Sequence, residues 1–131
     1  MANAIIQLRS VNPATGEEIE TFRVADERQI DAVLDASTRA ARQWAATPLY
    51  ERSALLRQLA TILRRDVEAH ASVITAEMGK TLTEARAEVD KCAFGCDYFA
   101  DNAAAFLANE PSPSDSPSSY IAFEPLGTIL A

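Results

Sequence analysis

From residue 26 onward, apolar residues recur with the period of an amphipathic helix. Ile30, Val33, Leu34, Ala41 and Trp44 share one face, while Asp31, Asp35, Arg39 and Arg42 fall mostly on the other. Asp26 followed three residues later by Gln29 is a capping-box pair, in which the carboxylate accepts an orphan backbone N–H and the amide reaches back. A helix is therefore predicted to begin there. Thr47 and Pro48 give the next start signal, an N-cap followed by proline at the first helical position, where its missing N–H costs nothing. Leu55, Leu56, Leu59, Ile62, Leu63, Val67, Val73, Ile74 and Met78 carry the pattern on to Gly79. Arg64 and Arg65 before Asp66 offer a basic helix end and then a fresh N-cap, which predicts a break at that point. Gly79 should close the second piece in a left-handed cap. Thr81 and Glu84 form another capping-box pair. The helix they open has Ala85, Val89, Cys92, Ala93, Cys96, Phe99, Ala100, Ala103, Phe106 and Leu107 on one stripe and should run about 40 Å.

Strand signals lie at the two ends. Ala4 to Leu8 and Ile19 to Val24 flank Asn12, Pro13, Ala14, Thr15 and Gly16, which predicts a hairpin whose turn uses the fixed φ of Pro13 and a positive φ at Gly16. Asn109 to Ser119 is almost wholly proline, serine and acidic residues and reads as a loop or linker. Tyr120 to Phe123 reads as a short strand, and Pro125 confines the residues after it to an edge or turn. The last run, Gly127 to Ala131, has the β-branched and aliphatic character of a buried strand just beginning. A strand stopped there leaves side chains and ladder groups without partners, so the expectation is that this chain is the front part of a larger protein. The segment itself is expected to be mainly α, with an N-terminal β-hairpin, three to four helices and C-terminal strands.

Composition narrows the class of partner. The 131 residues are 48% hydrophobic and 24% charged, with a formal net charge of −7. That charge argues against nucleic acid or an anionic membrane surface as main partner, since both are polyanions. No apolar run approaches the roughly 20 residues of a bilayer span. Met1 to Ser10 lacks the basic region and long apolar core of a signal peptide, so a cytoplasmic protein with reduced cysteines is expected.

The candidate chemistry is sparse. Cys92 and Cys96, four apart on one helix, would need two more nitrogen or sulfur ligands to close a zinc site, and only His70 remains. Their place on the apolar stripe reads as small core residues rather than reactive thiols. His70, between Ala69 and Ala71, has no nucleophile and carboxylate arrangement that demands it as a base. Glu84, Glu88 and Asp90 read as a solvated helix face, favoured in the first turns. Gly79, Lys80 and Thr81 match the end of a phosphate-binding loop, but the earlier glycine is absent and a helix, not a strand, precedes them. No catalytic, cofactor-binding or metal-binding residue is assigned within these 131 residues.

Three motifs in order resemble the N-terminal part of the aldehyde dehydrogenase superfamily. They are Asn12-Pro13-Ala14-Thr15-Gly16, Glu77-Met78-Gly79-Lys80-Thr81, and Tyr120-Ile121-Ala122-Phe123-Glu124-Pro125-Leu126-Gly127. Within the superfamily the chain is most similar to bacterial succinate-semialdehyde dehydrogenases, through Thr75 to Lys80, Glu84 to Val89, and Lys91-Cys92-Ala93 followed by Cys96, Tyr98, Phe99, Ala100, Asn102 and Ala103. Thr81 stands where that subfamily often has proline, and Ala87 where glycine is common. The resemblance implies an α/β, Rossmann-type family fold and a cytoplasmic homo-oligomer. Residues 1–119 would be the entry hairpin and outer helices of the cofactor domain, 120–126 a strand of the oligomerisation arm, and 127–131 the start of the first cofactor-domain strand. It further implies thiolate attack on an aldehyde, hydride transfer to NAD or NADP, and hydrolysis of the thioester. The oxyanion-hole Asn, the cofactor-phosphate residues, the general base and the nucleophile would all come later than Ala131, so this chain alone is expected to be inactive and not to bind the dinucleotide. By the same resemblance the long helix opened by Thr81 borders the substrate entrance, which would put Glu88 or Cys92 near it. The alternative is an autonomous, non-catalytic helical module for interaction or dimerisation.

Overall fold

The computed structural model describes residues 7–116 and 118–130. Strands β1 (Gln7–Val11) and β2 (Glu18–Arg23) form an antiparallel hairpin, with Leu8 opposite Phe22 and an irregularity between Ser10 and Val11. The first part of the predicted strand, residues 4–6, lies outside the described residues. The turn is organised by Asn12, whose side-chain oxygen accepts from the Ala14 N–H at 2.9 Å and whose carbonyl accepts from the Gly16 N–H at 2.8 Å. Gly16 takes a φ of 76°, as the turn requires.

Helices α1 (Glu27–Ala46), α2 (Leu49–Arg65), α3 (Val67–Met78) and α4 (Leu82–Phe106) come next along the chain. At α1 both halves of the capping box form: Asp26 accepts from the Gln29 N–H, and Gln29 Oε1 accepts from the Asp26 N–H, each at 2.9 Å. The predicted break falls at Asp66, which caps the end of α2 and the start of α3. Gly79 closes α3 with a φ of 69°. At Thr47 the structure departs from expectation. Its hydroxyl donates back to the Gln43 carbonyl at 3.1 Å, closing α1, and the first bonds of α2 go instead to the Pro48 carbonyl.

The core is a seam of small residues. Ala60 of α2, Ala71 of α3, and Ala85, Val89, Ala93 and Ala100 of α4 are its buried apolar members, and no large side chain is fully buried among the described residues. Short side chains let helix axes approach to the close end of the usual 8–10 Å range. Ion pairs rim the seam: Arg57 to Asp101 and Arg64 to Asp97, each at 2.7 Å, show that α2 and α4 run antiparallel, because one number rises as the other falls. Cys92, expected in the core, is exposed, since the buried line of α4 follows 85, 89, 93 and 100 and leaves position 92 to one side.

Two further corrections concern the C-terminal region. Residues Glu110–Pro111, expected to be pure linker, form strand β3, which pairs antiparallel with β4 (Tyr120–Ile121); Pro111 faces Tyr120 in that register. Residues 122–130 adopt no regular structure, because a strand needs a ladder partner and none lies beside them among the described residues. Ala131 lies outside the described residues. The Pro125–Thr128 stretch lies along α1, with the Thr128 hydroxyl donating to the Ser37 carbonyl at 3.3 Å.

Helix α1 has no buried residue, and Val33 and Trp44 on its apolar face are 63% and 48% exposed. Phe94, Tyr98, Phe99 and Phe106 make an open aromatic ridge on α4, with Tyr98 in ring contact with the other three. The chain exposes 10746 Å², against about 6,800 Å² for a compact monomer of this mass. Much of its apolar surface is therefore open.

Candidate functional site

The corner between α3 and α4 brings together most of the polar residues singled out above. The left-handed Gly79 turns the chain, Pro13 of the hairpin packs against it, and the Ser10 hydroxyl donates to Glu77 Oε1 at 2.6 Å. The hairpin thus braces the corner. Thr81 then caps α4: its Oγ1 accepts from the Glu84 N–H at 3.3 Å and donates to Glu84 Oε2 at 2.8 Å. The second capping box is therefore half made, with the Glu84 carboxylate taking the hydroxyl rather than the Thr81 backbone N–H.

From this corner an open groove of 660 Å³ runs along the first three turns of α4, lined by Lys80, Glu84, Ala87, Glu88, Lys91 and Cys92. Lys80 Nζ donates to the Glu88 carboxylate. That hydrogen bond, together with the negative field of Glu88 and Glu84, holds the ammonium above its ordinary pKa. The groove therefore pairs one fixed cation with one fixed anion at its base. Glu84, Glu88 and Cys92 stand one turn apart along it, so the two residues expected near a substrate entrance do share one surface.

Other candidates separate from it. Cys96 is half-buried one turn further on and Asp90 does not line the groove. His70 lies in α3 with its Nε2 buried and without a hydrogen-bond partner among the described residues. Among the described residues no group of three or more His, Cys, Asp or Glu is placed to hold a metal ion, and no helix is long and apolar enough to cross a membrane. The residue that sequence reasoning passed over is Lys91. Its signal was present: it lies four residues after Ala87 and three after Glu88, the spacing of neighbours on one helix face.

Behind the groove, Arg86 clamps Glu68 of α3 through Nε and Nη2, both at 2.8 Å. This bond is the main cause that holds the Glu68 carboxyl below its ordinary value, with the charge of Arg86 adding to it and partial burial opposing it. A carboxyl whose folded pKa lies below its unfolded one stabilises the fold above the unfolded value and loses that contribution as pH falls through the folded one. The denaturation midpoints of wild type and Glu68→Gln should accordingly differ most at about pH 7, and the gap should shrink as pH falls below the ordinary glutamate value of about 4.3. Urea titrations at both ends check this, and a gap that does not close in acid refutes the charge contribution.

The aldehyde dehydrogenase family model matches residues 2–131. The chain belongs to the aldehyde dehydrogenase family. It is 37% identical over 127 residues to succinate-semialdehyde dehydrogenase NADP(+) 1 of Mycobacterium tuberculosis, covering 95% of this chain and 28% of that protein. It is 39% identical over 122 residues to the Escherichia coli succinate semialdehyde dehydrogenase NAD(P)+ Sad, covering 93% and 26%. Among solved structures, succinic semialdehyde dehydrogenase from Streptococcus pyogenes, crystallised in complex with NADP+, superposes with a TM-score of 0.82 at 38% identity, over 87% of this chain and 25% of that one. These neighbours have the Rossmann-type α/β fold of the family, to which this mainly helical segment corresponds in part. The chain spans about a quarter of the length of these relatives.

Proposed function

We propose that this chain is the N-terminal part of an NAD(P)-dependent aldehyde dehydrogenase that oxidises succinate semialdehyde to the dicarboxylate. The observation that carries the reading is similarity across nearly the whole chain to relatives named for that substrate. In this reading residues 1–119 are the hairpin and outer helices of the cofactor domain, 120–126 a strand of the arm that joins subunits in a cytoplasmic homo-oligomer, and 127–131 the start of the first cofactor-domain strand; residues 122–130, irregular here, would take their ladder partners from the rest of that enzyme. The open apolar faces of α1 and α4 support it, because surface of that kind is normally covered. An autonomous helical module would need a partner or a second copy of itself to cover the same faces.

The described residues do not fit a dinucleotide. The glycines with positive φ, Gly16, Gly79 and Gly127, lie in a hairpin turn, at a helix end and in the irregular segment after β4, and none opens a helix after a strand as a phosphate cradle does. No step of the reaction is therefore assigned to them, and the nucleophile, base and cofactor contacts are placed in the C-terminal remainder of the enzyme. What this chain contributes is the groove along α4, proposed as one wall of the substrate entrance.

The reading is tested by following reduction of NADP+ and NAD+ with succinate semialdehyde, first with the purified 131-residue chain and then with the complete enzyme. The chain alone is expected to give no turnover and the complete enzyme steady turnover. Clear activity from the 131 residues would overturn the division of labour, and none from the complete enzyme would overturn the substrate.

A further inference from the structure

Cys92 and Cys96 are the two cysteines of the chain, and α4 sets them one turn apart. Residues four apart on a helix share a face, with Cβ atoms about 5–6 Å from each other. The structure leaves this face accessible. Cys92 is exposed on the α4 groove and Cys96 is half-buried one turn on, both as free thiols. Gly95, three residues after Cys92, has open space where a Cβ would stand, so no side chain screens the pair from that side. Ala93, on the other side, is buried in the helix packing.

The separation decides what the pair can hold. A disulfide needs Cβ atoms about 3.5–4.5 Å apart, so the helix cannot close one between these positions without breaking its own turn. The thiols therefore stay available to a bridging atom. Two metal–thiolate bonds of about 2.3 Å each let the sulfurs stand as much as about 4.6 Å apart, which suits the wider Cβ spacing. Zinc would ask for two further nitrogen or sulfur ligands, and among the described residues no third His, Cys, Asp or Glu joins the pair. Magnesium and calcium ask for oxygens. What remains is a soft ion satisfied by two thiolates, and thiolate donors select Cu(I). We propose that Cys92 and Cys96 form a two-coordinate Cu(I) site on the open face of α4. Binding makes two Cu–S bonds and releases the two thiol protons to solvent, while copper stays in the +1 state. The site is independent of the substrate of the complete enzyme.

The test titrates Cu(I) into the reduced 131-residue chain in competition with a chromophoric Cu(I) chelator. One ion per chain is expected. Cys92→Ser and Cys96→Ser should each lower the affinity about a hundredfold or more, because the second, intramolecular Cu–S bond is lost. A spacing control, Cys96→Ser with Phe94→Cys, keeps two thiols but sets them two residues apart, where they do not face each other. Phe94 is on the exposed ridge, so the change leaves the alanine seam alone. This variant should bind as weakly as the single ones. Bound Cu(I) pins a helical turn, so the thermal midpoint followed by circular dichroism should rise in the wild type only. A wild-type chain that takes no Cu(I) from the chelator overturns the proposal. So does a loss of less than about tenfold in either single variant, or wild-type affinity in the spacing control, since one thiol or any two would then suffice. Half an ion per chain overturns it as well, because the metal would then bridge two chains.

Discussion

Ala93→Leu should destabilise the folded chain by about 2–3 kcal/mol, the upper part of the usual range for overpacking. Ala93 is fully buried at the middle of α4, in line with Ala85, Val89 and Ala100, and α4 is the helix against which both α2 and α3 pack. A leucine adds three carbons where the facing helices leave no room, so either the helices separate or the side chain leaves its preferred rotamer. Separation would loosen contacts along the rest of the seam, including those of Ala60 and Ala71, because a helix shifts as a rigid body. Phe94→Leu, one residue away on the exposed ridge, is the matched comparison and should change stability by about 0.5 kcal/mol or less. Urea denaturation of the two variants side by side gives the answer. Equal midpoints would mean that the alanine seam is not what holds the three helices together.

That contrast between adjacent residues shows where sequence reading succeeded and where it stopped. Helix ends were legible because their chemistry is local: Asp26 with Gln29, the Arg65–Asp66 break and the Gly79 stop each involve groups within a few residues of one another. The face of α4 was legible only coarsely. A period of 3.6 admits Cys92 and Ala93 to the same broad stripe, but α2 and α3 cover a narrower strip, and the choice between neighbours depends on partners far away in sequence. The better clue was size, since alanines at 85, 93 and 100 mark where another helix comes close.

Two other misses have the same origin. Glu110–Pro111 carries no strand signal, yet it pairs because Tyr120–Ile121 returns alongside it, and a proline is tolerated where only one neighbour exists. Gly127 to Leu130 carries a strong strand signal and forms none, because β-propensity expresses fit to a neighbouring strand more than a preference of the backbone itself. The groove was half legible. Glu88 and Cys92 were placed near an entrance by resemblance, whereas the pairing of Lys80 with Glu88 joins the corner to the second turn of α4 and arises only once Gly79 has set the direction of the chain.

That dependence makes Gly79→Ala the second large effect. The residue sits at a φ of 69°, in the left-handed region, where a Cβ crowds its own carbonyl and costs roughly 1–2 kcal/mol. The added Cβ would also lie 3.0 Å from Pro13 Cγ, tighter than ordinary contact, and Pro13 is fixed by the hairpin turn. The corner can relieve the contact only by pushing the hairpin away, which pulls Ser10 off Glu77. A total loss of about 2–3 kcal/mol is expected, from backbone strain and the displaced turn together. Pro13→Ala separates the two contributions: in that background the crowding is absent, so Gly79→Ala should cost only its backbone share of roughly 1–2 kcal/mol. A double-mutant cycle by urea denaturation measures the coupling. Strict additivity would show that hairpin and corner are independent. Coupling of about 1 kcal/mol would show that the first turn of the chain holds the bend from which Lys80 reaches Glu88.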